Sequence, residues 1–336
     1  MRVRERPVTT LRELFRRGMS LLEGRVAAPA VEAKVLLLEA VRIGEVEWLT
    51  EPERQVTRRE ELRYGKLIER RLSGVPLAYI TGRREFWSIT LRVGPGVLIP
   101  RPETELVVER TLELALNSRR RSLTIVDIGT GCGNIALALA KELPRGRIVA
   151  TDISSRALRN AKRNARDHQL KNVSFVKGSL FAALRGLGLE GKCDFIVSNP
   201  PYVSASDWVS LPVEVRDHEP RRALVGGRTG MESIGRLVKG APAFLKRGGW
   251  LVFEVGEGQA EEAVALLRQT RSVSARRHFS SSVNLLLAPA RCHCEERNDS
   301  ESESSAPICC FEDVRSFSDL RGIRRVIQSR KSARRT

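Results

Sequence analysis

The sequence has no apolar run approaching the roughly 18 to 20 residues that a membrane-spanning helix needs, and its Arg-rich start, Met1 to Pro7, is not followed by the apolar core of a secretion signal. A cytoplasmic protein without membrane association is expected. Glu5, Glu13 and Glu23 weigh against a mitochondrial transit segment, which is poor in acidic residues. The six cysteines come without a secretion signal, so a disulfide framework is not expected, and neither Cys132 nor Cys193 requires a redox role. Cys292-His293-Cys294 and Cys309-Cys310 lack the two-to-four-residue gaps that let neighbouring side chains turn onto one tetrahedral ion, so no metal site is expected. Of the four histidines, His168, His218 and His278 have no partners that suggest a nucleophilic triad.

The 336 residues, 41% of them apolar, suffice for two domains with a buried core. The net charge of +18 attracts polyanions through its long-range field, unless most of these charges are simply solvated. Residues 1–75 read as a helical domain. Thr10 and Glu13 form a capping box ahead of Leu11, Phe15, Met19 and Leu22 at helical spacing. Val31 to Val41 gives a second apolar face, and Glu60 to Leu72 a third helix whose Arg63, Lys66, Arg70 and Arg71 form either a docking face or a solvated one. Residues 76–102 change to short alternating segments, Leu77 to Ile80, Phe86 to Val93 and Val97 to Ile99, which predict a β-hairpin linker.

Residues 103–270 alternate strands and helices, the pattern of a parallel sheet with ligands at the carboxyl ends of its strands. The run Leu123 to Val126 leads into Asp127-Ile128-Gly129-Thr130-Gly131-Cys132-Gly133 and the helix Asn134 to Leu143. Glycines between strand and helix let the backbone approach a ligand facing the helix N-terminus. Nineteen residues after Gly133 a second strand ends in Asp152, placed to accept both hydroxyls of a ribose. The spacing differs from the dinucleotide form G-x-G-x-x-G, which favours S-adenosylmethionine over a nicotinamide cofactor. A further strand, Asp194 to Val197, ends in Ser198-Asn199-Pro200-Pro201-Tyr202. Two consecutive prolines cannot donate to a ladder, so the carbonyls beside Asn199 stay free to accept hydrogen bonds, while Tyr202 supplies a flat wall. The arrangement suits a planar NH2 group, and the two pockets together suit methyl transfer from a sulfonium to nitrogen.

These residues resemble the protein-(glutamine-N5) methyltransferases that modify class-one peptide chain release factors, the PrmC or HemK family. The matching pieces are Pro76 to Gly82, Glu85-Phe86, Ile99 to Glu105, Asp127 to Gly133, Thr151 to Ser154, Ser198 to Tyr202, and Glu219-Pro220-Arg221 with Gly226-Gly227 and Gly230, in order across roughly residues 8 to 270. Asn-Pro-Pro-Tyr alone is shared with adenine-N6 and other amino-methyltransferases; the Ile99–Glu105 and Glu219–Arg221 segments are more selective. The resemblance implies an α/β, Rossmann-like class I methyltransferase sheet behind a small helical domain that docks the protein substrate. It implies that Gly129, Thr130, Gly131, Cys132, Gly133, Asp152, Ser179, Leu180 and Asn199 hold S-adenosylmethionine. Asn199, Pro200 and Tyr202 would carry the reaction, with Phe86, Asn199, Pro200, Pro201 and Tyr202 around the substrate glutamine. A monomer making no stable nucleic-acid complex is expected. Rival substrates are a ribosomal-protein glutamine and an exocyclic amine of nucleic acid; a nucleoside-sensing module without turnover is the non-enzymatic alternative. Ser179 stands where relatives commonly carry an acidic residue near the adenine, which predicts weaker cofactor binding. Residues 271–310 are Ser-rich and charge-mixed, with a short apolar run Val283 to Leu287, and read as a disordered insertion; 311–336 would supply the closing strands and a basic tail.

Overall fold

A capping box starts the first helix. Thr10 N–H donates to Glu13 Oε2 (3.0 Å) and Glu13 N–H to Thr10 Oγ1 (3.3 Å), satisfying two of the donors a helix start leaves open. The computed structural model describes residues 9–118, 122–270 and 310–333. Helices α1 (Leu11–Leu22), α2 (Pro29–Val41), α3 (Glu45–Thr50) and α4 (Arg58–Leu72) bury Leu11, Leu14, Leu22, Leu36, Leu37, Tyr64 and Ile68 in a core of their own. Phe15 and Met19 lie at its margin. The basic row on α4 is only partly available to a partner. Arg71 is buried and pairs with Glu32 and Glu214, and Arg63 donates to the Ala40 carbonyl, which leaves Lys66 and Arg70 exposed.

The linker differs from the alternating strands expected. Leu77–Thr81 is a short helix, α5, started by Pro76 and ended by Gly82 at φ +74°; five residues are too few for a helical period to declare itself. The hairpin consists of β1 (Arg83–Phe86) and β2 (Ile89–Arg92). Trp87 and Ser88 turn it with φ +49° and +55°, the left-handed geometry usually given to Asn-Gly. Tertiary hydrogen bonds from Trp87 to Glu105 and Glu142 hold a turn that its residue types do not favour. Val97 to Ile99 is irregular, tied down by Tyr79 Oη–H donating to Val97 O.

A 3-10 turn, Pro102–Thr104, leads into α6 (Glu105–Leu116), and the main sheet follows as β3 (Thr124–Ile128), α7 (Asn134–Glu142), β4 (Arg147–Asp152), α8 (Ser155–Asp167), β5 (Val173–Lys177) and β6 (Cys193–Ser198). Between β6 and α11 (Met231–Phe244) the chain makes a short parallel pair, β7 (Val203–Ser204) with β8 (Val225–Gly227), flanking the small helices α9 (Val213–Arg216) and α10 (Arg221–Leu224). It closes with β9 (Leu245–Glu254), α12 (Ala260–Gln269), β10 (Phe311–Ser318) and β11 (Arg324–Lys331). The seven-stranded sheet runs β10-β11-β9-β6-β3-β4-β5, parallel except for the antiparallel β10 and β11. Alternate residues of each central strand enter opposite cores: Ile125, Val197 and Val252 face the α6–α7 side, and Val126, Ile196 and Leu251 the α11–α12 side, so both faces are covered. Cys310 N–H donates to Thr270 O (2.8 Å), so the ends of the expected insertion adjoin; residues 271–309, with Cys292, His293, Cys294, Cys309 and the Val283 to Leu287 run, lie outside the described residues. Among the described residues no helix is long and apolar enough to cross a membrane.

Candidate active site

The order of strands locates the site. From β3 the chain adds β4 and β5 on one side, then returns to place β6 on the other, so the sheet has its switch point between β3 and β6, where ligands bind in open α/β sheets. Ile128 and Ser198 are register partners, and Ser198 Oγ–H donates to Ile128 O (2.7 Å). The glycine turn that follows Ile128 and the Asn199 segment that follows Ser198 therefore begin side by side.

Gly129 and Gly131 adopt φ +78° and +58°, and a Cβ on either would meet no neighbouring atom: their backbone faces open space, as a ligand cradle requires. Gly133, at φ +92°, packs against Leu137 and Ala161 and draws α7 close to α8. The turn is anchored to β4 by Gly129 and Thr130 N–H donating to Thr151 O. Asp152 accepts from Gly131 N–H (2.9 Å) and Ser154 N–H (2.7 Å), and burial raises its carboxyl above the usual range. Cys132 is buried, its carbonyl bonded by Asn164, and burial pushes its thiol up to about 12, leaving it inert. Asp127 is fully buried and raised to about 7 by desolvation. Thr130 and the Ala136 amide beside it partly offset that rise, yet both carboxylate oxygens and the Thr130 hydroxyl are buried without a hydrogen bond of normal geometry. Open glycines and unsatisfied buried polar atoms together fit a polar ligand. Ser179 and Leu180 follow β5 at the same end of the sheet, where Gly178 N–H donates to Asp152 O; Ser179 is exposed and Leu180 takes a left-handed φ of +45°.

A small cavity of about 30 Å³ lies beside the second motif, lined by Leu98, Arg101, Asn199, Pro200, Tyr202, Ala223 and Leu224. Asn199 Nδ2 donates to Thr104 Oγ1 (2.9 Å), Thr104 Oγ1–H to Glu254 Oε2 (2.6 Å), and Tyr202 Oη–H to Glu254 Oε1 (2.9 Å). Desolvation, with the Glu254 charge beside it, drives the Tyr202 hydroxyl far above its ordinary value, so it stays protonated. Phe86, expected on the pocket wall, is elsewhere: 1% exposed, it packs with Tyr79, Ile89 and Leu91 in the core and is absent from the cavity lining. Phe86 is the cross-strand partner of Ile89 and shares its buried face, while the three charged residues before it on β1 are exposed.

Residues 105–212 match the Methyltransferase small domain family, and residues 13–82 match the PrmC N-terminal domain. A release factor glutamine methyltransferase of Moorella thermoacetica is 43% identical over 249 residues, 74% of this chain and 86% of the relative. Those of Coxiella burnetii and Koribacter versatilis are 37% and 39% identical, each alignment covering 77% of this chain and 91% of the relative. The chain belongs to the release factor glutamine methyltransferases.

In this methyltransferase the two selective sequence segments, far apart in the chain, turn out to be one structure. Glu219, buried, accepts from Ile99 N–H (3.0 Å) through Oε2 and from Arg101 (2.5 Å) through Oε1, while Arg101 also donates to Ile99 O (3.0 Å). The Ile99–Arg101 segment is thus clipped to the α9–α10 loop over the cavity. Arg101 is 30% exposed, which weakens the ion pair relative to a fully buried one. Glu219→Ala leaves the buried Ile99 amide without its acceptor and Arg101 without its carboxylate, and lowers stability by about 2 to 3 kcal/mol in chemical denaturation. Thr104 and Glu254 escaped residue-by-residue reading. Their signals were a threonine inside Ile99–Glu105 and a carboxylate closing the buried run Leu251 to Phe253, and only the fold brings the two together.

Proposed function

We propose that this methyltransferase moves a methyl group from S-adenosylmethionine to the side-chain amide nitrogen (N5) of the glutamine in the Gly-Gly-Gln tip of class-one peptide chain release factors. The observation that carries the reading is the register of β3 and β6, which sets the open glycine turn and Asn199–Tyr202 next to each other at the switch point. The relatives' shared name supports the substrate.

S-adenosylmethionine would supply an electrophilic methyl on a sulfonium, and Gly129 to Gly133, Asp152, Ser179, Leu180 and Asn199 are the residues that would hold it. An amide nitrogen is a poor nucleophile because its lone pair is delocalised. Asn199 and the Pro200 carbonyl accept its two N–H groups, fixing the plane of the amide and raising its electron density, while Tyr202 walls the pocket. Pro200 and Pro201 carry no N–H, so no backbone donor competes at this edge. Holding both reactants in line is worth on the order of 7 to 11 kcal/mol of barrier.

Labelled S-adenosylmethionine offered separately with release factor, ribosomal protein and DNA tests the reading. Label is expected on the release-factor glutamine; label on DNA alone, which the charge of +18 would favour, overturns it. Asp152→Ala leaves the Gly131 and Ser154 amides without their acceptor and is expected to weaken cofactor affinity roughly 10- to 100-fold in calorimetric titration.

A further inference from the structure

We propose that Glu254, acting through Thr104, is a positioning residue that sets which end of the Asn199 amide faces the substrate. The inference rests on the functional reading above and adds to it a direction of hydrogen bonding. Glu254 is 1% exposed, stands at the end of β9 and receives two hydroxyls, Thr104 on one oxygen and Tyr202 on the other. A carboxylate only accepts, so the Thr104 proton points at Glu254. The lone pairs of Thr104 are then what remains for Asn199, and Asn199 must offer its NH2 group there. Its Oδ1 is left as the end that faces the cavity, as an acceptor of a substrate N–H. Were the polarity reversed, Asn199 would present donors to an amine that itself only donates.

The same carboxylate holds the Tyr202 hydroxyl, and the Tyr202 carbonyl accepts from Gln259 Nε2 (2.9 Å), whose Oε1 accepts from Gly256 N–H (2.9 Å). Both side chains of the substrate pocket thus take their orientation from the end of β9. The groups facing Glu254 are Thr104 and Glu103 before α6, Tyr202 after β6, and Arg325 on β11. Burial pushes its carboxyl up to about 7, partly offset by the two hydroxyls and Arg325. Protonation at lower pH turns one oxygen into a donor: on the Thr104 side it undoes the polarity, and on the Tyr202 side it releases that hydroxyl from its acceptor.

The test compares Thr104→Val, Thr104→Ser and Glu254→Gln with the wild type, measuring kcat on release factor at saturating S-adenosylmethionine and cofactor affinity by titration. Thr104→Val removes the relay at constant shape, and kcat is expected to fall roughly 10- to 100-fold while cofactor affinity stays within error. Thr104→Ser keeps the hydroxyl and restores most of the lost rate. Glu254→Gln keeps the shape, but its NH2 either faces Thr104 and reverses the relay or faces Tyr202 and releases that hydroxyl from its acceptor, so kcat falls through one side chain or the other with cofactor binding intact. This variant is also expected to lose the acid limb expected of the wild type as pH drops through about 7. Wild-type kcat in Thr104→Val, or equal loss in the valine and serine variants, overturns the relay; if Thr104→Val does not fold, wild-type kcat together with an unchanged acid limb in Glu254→Gln overturns it. A wild type that never labels release factor overturns the functional reading instead, and the relay with it.

Discussion

Asn199→Ala is expected to lower kcat for glutamine methylation by about 10² to 10³-fold, because it deletes the preorganised acceptor that fixes the substrate amide. It also leaves Thr104 Oγ1 without the donor it now receives. Cofactor binding should largely survive, because Asn199 is one of several residues that would hold it and the others are anchored independently. The glycine turn is anchored to β4 through Thr151, and Asp152 through Gly131 and Ser154, with no hydrogen bond to Asn199 among those contacts. Calorimetric titration of S-adenosylmethionine beside single-turnover transfer separates the two effects. Asn199→Ala and Asp152→Ala losing cofactor equally would show that the two motifs do not divide the work.

Gly226→Ala is the second large effect, and it acts from outside the cavity. A Cβ at Gly226 falls inside van der Waals contact with the carbonyls of Pro201 and Gly230, both of them backbone atoms that cannot swing aside. Gly226 is further held by Ser233 Oγ–H donating to its carbonyl (3.0 Å), so the strain is passed to Pro201. Pro201 lies between Pro200 and Tyr202, and displacing it moves the Pro200 carbonyl away from the substrate amide. A shift of about 1 Å there costs on the order of 10²-fold in rate, and the overpacking itself about 1 to 3 kcal/mol of stability. Gly235→Ala, in the middle of α11 with nothing near its Cβ, is the control: it should leave kcat alone and stabilise by about 0.5 to 1 kcal/mol in thermal denaturation. Equal kcat in the two variants would mean that Gly226 does not position Pro201.

The contrast between these glycines illustrates how far reading along the chain reaches. Gly129, Gly131 and Gly133 were legible because a strand, a glycine turn and a helix are contiguous, and each constrains the next by local geometry. Gly226 could be noted in a motif but not understood, since its constraint comes from Pro201, which is remote along the chain and close in space. The hairpin turn at Trp87-Ser88 was missed for a related reason. Its left-handed backbone is imposed by bonds to Glu105 and Glu142, against local preference. The resemblance implies Phe86 on the pocket wall, and its pairing with Ile89 across the hairpin carries it into the core instead.

By itself the sequence determined the alternation of strands and helices from β3 to β6, the nucleoside-type turn at Gly129–Gly133, the donor-free edge at Pro200-Pro201 and the class of reaction, because these follow from φ restrictions, hydrogen-bonding capacity and periodicity over a few adjacent residues. Only the tertiary structure decided that Glu219 clips Ile99 and Arg101 over the cavity, and that Glu254 meets Thr104 and Tyr202 beside Asn199. A buried carboxylate finds its partners across elements that the sheet order brings together, and no spacing along the chain encodes which hydroxyls those will be.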